Sequence, residues 1–261
     1  MAEVDGYNGN SVHCSLIVNI GANNASGNYT PVSWALYAQD TYGASWSGES
    51  PCTGAVYING AGYGYSYWWN SPGTGTRTLQ SGSANIYHNA DGTGAFGFSF
   101  TFSGIPGTSN SAGCSGSSSA GLAGIPPTAP STPTADTQTV PGNVTIHFSM
   151  GAGSTPSTYT IQADDDPGFG SPTTFTTSNT PYTLTGLTRG STQYIRVQGS
   201  NASGTGPFGG ALTVTLLAGG KVSHDGTTFV PALTQKRWNG SSWVTITTAK
   251  RWNGTAWVNL T

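Results

Sequence analysis

Apolar and polar residues alternate along most of the chain with a period of two, the spacing of strands that bury one face. The runs Val12 to Ile20, Val32 to Ala38, Ala55 to Ile58, Tyr63 to Trp69, Ala84 to Tyr87 and Ala95 to Phe102 predict six strands within the first 125 residues or so. Between them lie Gly, Asn, Asp and Pro, the residues of turns. The segment His88-Asn-Ala-Asp-Gly-Thr93 reads as a hairpin connection, with Gly92 free to take positive φ. An antiparallel sheet with one apolar face needs a second sheet to cover it, so this part predicts a β-sandwich.

The same period continues beyond a Pro-rich spacer, Ile125-Pro-Pro-Thr-Ala-Pro-Ser-Thr-Pro133. Val144, Ile146 and Phe148, then Tyr159, Ile161 and Ala163, then Ile195, Val197 and Gly199, and finally Leu212, Val214 and Leu216 each place one face inward. After Leu217 the pattern changes to a repeat of fourteen residues: Asp225-Gly-Thr-Thr-Phe-Val230, Asn239-Gly-Ser-Ser-Trp-Val244 and Asn253-Gly-Thr-Ala-Trp-Val258. Asn-Gly between aromatic and β-branched residues is a strong hairpin signal. The organisation predicted is all-β in three modules: an antiparallel β-sandwich over 1–125, a second β-sandwich with its linker over 126–218, and β-hairpin repeats over 219–261. Hairpins this short cannot shield indole alone, so Phe229, Trp238, Trp243, Trp252 and Trp257 are candidate assembly contacts.

Composition strengthens the all-β reading. Of 261 residues, 39 are Gly, 15 are Pro and 7% are charged, against about a quarter in ordinary domains. Residues 1–218 carry nine acids and three Arg, while 219–261 carry five basic residues and Asp225. That basic excess is spread over hairpins and reads as solvated surface, not as a nucleic-acid stripe. Met1 is followed by neither a basic n-region nor an apolar h-region, and no run reaches membrane-spanning length, so the chain is expected to lack a signal peptide and a membrane insertion.

Candidate chemistry is sparse. His13, His88, His147 and His224 stand in strand or turn contexts with no nucleophile motif, and Gly-x-Ser-x-Gly is missing, so no catalytic residue is assigned and the chain reads as non-enzymatic. Asp164-Asp-Asp166 is the one acidic cluster, and its Pro and Gly neighbours make it a turn; no metal or cofactor is assigned. Cys14, Cys52 and Cys114 lack metal spacing; they are buried free thiols, or two of them pair, Cys52 with Cys114 being one option. Tyr63, Tyr65, Tyr67 and Trp69 form a row on one face, which suits a sandwich core, a sugar-stacking platform or a subunit contact.

Several segments resemble known families. Ala22-Asn-Asn-Ala-Ser26, the Trp34 strand, Val56-Tyr-Ile-Asn-Gly60, Leu79-Gln-Ser-Gly-Ser83, the HNADGT turn and Leu122-Ala-Gly-Ile-Pro126 together resemble minor tail proteins of siphophages that infect Gram-positive bacteria. Residues 131–218 resemble a fibronectin type III domain through Leu187-Thr-Arg-Gly190, Ile195-Arg-Val197 and Asn201-Ala-Ser-Gly204, with Phe148 at the usual core Trp and Gln193 at the corner Tyr. The Trp-Asn-Gly-x-x-Trp-Val repeats resemble the C-terminal ends of actinobacteriophage minor tail proteins. These resemblances imply a structural virion component at the tail tip, made in the host cytoplasm and present in multiple copies. Its implied partners are other tail proteins and host-envelope glycan. A capsid or tail-tube decoration protein, or a bacterial carbohydrate-binding adhesin or accessory module, has the same modules.

Overall fold

The computed structural model describes residues 1–8, 12–40, 51–68, 75–103, 113–224, 228–232, 236–245, 250–252, 255 and 257–259. Every regular element among the described residues is a strand or a turn. Contacts divide the chain into two units, one of residues 1–129, 150–157 and 199–207, the other of 130–149, 158–198 and 208–261.

The first unit is a sandwich of two four-stranded antiparallel sheets. Its strands are β1 (Ala2–Asn8), β2 (Val12–Ile20), β3 (Tyr29–Asp40), β4 (Pro51–Ile58), β5 (Ala61–Trp68), β6 (Thr76–Tyr87), β7 (Gly94–Ser103) and β8 (Cys114–Leu122). One sheet runs β1-β2-β3-β6 and the other β5-β4-β7-β8. Alternation puts Cys14, Leu16 and Val18 of β2, Val32, Trp34 and Leu36 of β3, and the row Phe96, Phe98, Phe100 and Phe102 of β7 into one buried core. Each such side chain contributes about 1.5–3 kcal/mol by leaving water.

β1 and β8 are edge strands with thin apolar faces: Ala2 and Val4 of β1 and Cys114, Ala120 and Leu122 of β8 turn to the core. They approach each other through glycine. A Cβ on Gly6 would lie 2.5 Å from the Ser115 carbonyl oxygen, and one on Gly116 would lie 2.9 Å from that of Asp5. Small residues are needed where two backbones come this close.

His88–Thr93 is not the hairpin connection that its composition predicts. β6 pairs with β3, whereas β7 pairs with β4 and β8, so the turn carries the chain from one sheet to the other. Alternation and turn residues specify strands and a reversal, but they do not specify which strands pair. The corner is held by its own polar groups: Asp91 Oδ1 accepts the Thr93 N–H at 3.0 Å and the Thr93 hydroxyl at 2.6 Å. Buried His88 places Nδ1 2.8 Å from the Gly92 carbonyl and Nε2 2.8 Å from the Thr30 hydroxyl. Segments 150–157 and 199–207 complete this unit; Ser154 donates to the Ile125 carbonyl at 2.8 Å and Ser203 to that of Asp91 at 2.9 Å.

A second sandwich is built from β9 (Thr134–Ala135), β10 (Val144–His147), β11 (Thr158–Asp164), β12 (Thr173–Thr177), β13 (Tyr182–Leu184), β14 (Thr192–Asn201) and β16 (Leu212–Thr215), while β15 (Gly204–Thr205) pairs with Ser200 and Asn201 within segment 199–207. One sheet is β13-β10-β9; the other is β12-β11-β14-β15, with β16 also on β14. Val144, Ile146, Phe148, Tyr159, Ile161, Ala163, Ile195, Val197 and Leu216, which period two places inward, are buried together. Gln193, at the entry to β14, is buried and donates to Ser191 Oγ at 2.8 Å, which in turn donates to the Thr188 carbonyl at 2.7 Å. A short polar relay thus pins the corner.

Three two-stranded hairpins follow: β17 (Gly220–His224) with β18 (Thr228–Ala232), β19 (Lys236–Trp238) with β20 (Trp243–Thr245), and β21 (Lys250–Trp252) with β22 (Trp257–Asn259). The last two share one register, Trp238 opposite Trp243 and Trp252 opposite Trp257. The turn of the middle hairpin follows from its Asn-Gly pair. Asn239 Oδ1 accepts the N–H groups of Ser241 and Ser242 at 3.0 and 2.8 Å, and Gly240 takes φ of +103°.

Candidate functional site

The aromatic row of β5 lies on the core side of its sheet. Tyr63, Tyr65 and Tyr67 are half-buried and pack against the first core. Tyr63 meets Trp34 at 5.1 Å between ring centroids, and Tyr65 stacks on Phe102 at 6.5 Å. The Tyr65 hydroxyl donates to the Thr101 carbonyl at 2.9 Å, and burial pushes its pKa up. Trp69, the fourth member of the row, lies outside the described residues. Trp68, which alternation sends to the opposite face, is exposed.

Among the candidate assembly residues, Trp238 and Trp243 are 56% and 65% exposed, with ring centroids 5.8 Å apart in an edge-to-face pair. An edge-to-face pair is favourable for two indoles but leaves their outer faces to water. Phe229, Trp252 and Trp257 occupy positions on β18, β21 and β22, and their side chains lie outside the described residues. Asp225, at the first repeat turn, does as well.

The remaining polar candidates are committed to their own loops. Asp164 accepts the N–H groups of Asp166 at 3.2 Å and Ser171 at 3.0 Å. Burial opposes ionisation of Asp164, but these backbone donors outweigh it and hold the carboxyl below its usual range. Asp166 accepts the Gly168 N–H at 3.2 Å, so this cluster is an Asx-type turn. His147 faces solvent and pairs with Asp136 at 3.0 Å. All three cysteines are buried, and no disulfide joins them. The Cys114 side chain and burial push the Cys14 thiol up, and burial raises Cys52 to about 11.

One polar constellation has no sequence signature because four strands, β1, β2, β3 and β6, contribute to it. The register aligns Asp5, Ser15, Tyr37 and Thr78 in one cross-strand row and Tyr7, His13, Gln39 and Thr76 in the next. Both rows lie on the outer face of the β1-β2-β3-β6 sheet, opposite the buried Cys14, Leu16 and Ala38. A cleft of about 290 Å³ opens there, lined by Glu3, His13, Ser15, Ile17, Tyr37, Gln39 and Thr76. Ser15 donates to Glu3 at 2.5 Å, His13 pairs with Asp5 at 3.0 Å, and Tyr7 stacks on His13 at 4.6 Å with 15° between planes.

No protein-family model matches the chain, and no curated protein does. Among solved structures it is similar to the FN1–FN3 domains of chicken CNTN1, with 13% identity and a TM-score of 0.33, covering 76% of this chain and 66% of that one. It is also similar to a two-domain fibronectin type III segment of chicken tenascin, with 10% identity and a TM-score of 0.37, covering 76% of this chain and 97% of that one.

Proposed function

We propose that the chain is a non-enzymatic structural component of a bacteriophage virion, a minor tail protein at the tail tip that assembles in multiple copies and contacts host-surface glycan. The observation that carries this reading is the exposed indole pair of the β19–β20 hairpin. Trp238 and Trp243 together present a large apolar surface on a two-stranded element, which is marginal in water without a partner. A partner that covers these rings supplies the missing burial. The resemblance of the HNADGT-containing module and of the Trp-Asn-Gly repeats to tail proteins supports a phage particle as the place where that partner is met.

Peptide mass spectrometry on purified particles tests the reading. Peptides of the chain at a fixed ratio to the major tail protein are expected. Finding the chain only as a product secreted by uninfected cells overturns the virion assignment in favour of a bacterial adhesin.

A further inference from the structure

The outer face of an antiparallel sandwich is polar by default, and scattered Ser and Thr on it call for no explanation. The β1-β2-β3-β6 face differs in having a floor and an oriented rim. Ile17 and the Tyr37 ring, both half-buried, give the cleft an apolar base. Opposite the Leu36–Tyr37 step of β3, β6 holds an extra residue, Leu79, since Leu36 faces Gln80 and Tyr37 faces Thr78; such a bulge bends the strand that carries it, here beside Thr76. Around that base stand a carboxylate held by the Ser15 hydroxyl, the amide of Gln39 and the hydroxyl of Thr76. His13 is fixed from two sides, by Asp5 and by the stacked Tyr7 ring, which is 68% exposed.

We propose that this cleft binds one pyranose unit of an uncharged glycan. A pyranose offers an apolar C–H face and a rim of hydroxyls, and the cleft offers the complement: an aromatic and aliphatic floor with carboxylate, amide and hydroxyl partners at its edge. The charge selects among sugars. Glu3 lines the cleft and Asp5 adjoins it, and no Lys or Arg is among the lining residues, so uronic and sialic acids and phosphorylated ligands are repelled. The volume lies at the small end of ligand sites and suits a mono- or disaccharide terminus. The proposal rests on the glycan-contact part of the reading above and not on particle membership, which binding by the purified chain does not probe.

The test is a glycan array probed with the labelled full-length chain, carrying neutral hexose and N-acetylhexosamine oligosaccharides beside uronic- and sialic-acid-terminated ones. Retention on neutral glycans and none on acidic ones is expected. Tyr37→Ala and Gln39→Ala should each weaken retention about tenfold or more, with an unchanged circular dichroism spectrum, while Trp68→Ala on the other sheet leaves it intact. Thr76→Arg, at an exposed position, blocks the cleft without touching the core and serves if Tyr37→Ala fails to fold. No retention on any neutral glycan, or retention unchanged by Gln39→Ala and Thr76→Arg, overturns the proposal.

Discussion

Replacing His88 with alanine removes the side chain that ties the inter-sheet corner to the first sheet. Its ring is buried and makes two hydrogen bonds, to Gly92 and Thr30, each 2.8 Å long. At a net contribution of about 1 kcal/mol per bond, these account for about 2 kcal/mol. Neither partner is orphaned by the change. The Gly92 carbonyl still accepts the Ile125 N–H at 2.9 Å, and the Thr30 hydroxyl, freed from the imidazole, can turn to Asn23 Oδ1 2.7 Å away, so no penalty for an unsatisfied group is added. The emptied ring volume adds roughly 1 kcal/mol, for a loss of about 3 kcal/mol in all. In a unit of this size each kcal/mol moves Tm by about 2–4 °C, so a fall of about 6–12 °C is expected in thermal unfolding followed by circular dichroism. A double-mutant cycle with Thr30→Val should give a coupling of about 1 kcal/mol. A loss below about 0.5 kcal/mol, the range of an ordinary surface change, or strict additivity in the cycle refutes the role given to His88.

The other predictions concern the strand edges, the thiols and the second sandwich. Gly6→Ala forces a Cβ against the Ser115 backbone and should destabilise by about 1–3 kcal/mol in urea melts, whereas a solvent-facing edge glycine would tolerate it. In native protein at pH 8, Cys14, Cys52 and Cys114 should resist a thiol-titrating disulfide reagent, and all three should react in denaturant; fast reaction of any of them in the folded chain contradicts their burial. Because the Cys52 pKa is raised from 9.0 to about 11, its contribution to stability is full below pH 9 and is lost as the pH rises towards 11. Arg196 donates twice to Gln162 and lies 3.9 and 4.2 Å from the ring centroids of Phe169 and Phe208; Arg196→Lys should cost about 1–2 kcal/mol in the same melts, and a neutral result would mean the stack contributes nothing.

Legibility in the sequence followed burial. Val12 to Ile20 alternates cleanly, and β2 has those bounds. β1 and β8 leave only a faint trace, because their inward positions are small, Ala2, Val4 and Gly6 in one and Cys114, Gly116 and Ala120 in the other, at an edge that needs little apolar surface. The His88–Thr93 corner has the composition of a hairpin, and only the pairing of its flanking strands reveals a change of sheet. For the β5 tyrosines, alternation gives a common face, but the opposing sheet decides that this face looks inward. The Glu3–Tyr37–Gln39 cleft is invisible to any local pattern, since it exists only in the register of β1, β2, β3 and β6.

The central claim is that the indoles of the β19–β20 hairpin are covered by a partner in the assembled particle. It is tested most directly by measuring incorporation of a Trp238→Ser/Trp243→Ser chain, supplied beside the wild-type chain during particle assembly, by quantitative mass spectrometry of the purified particles. Both rings are exposed in the free chain, so the change leaves the two sandwiches folded. The account predicts that the variant is depleted about tenfold or more relative to wild type. Equal incorporation of the two chains would contradict it.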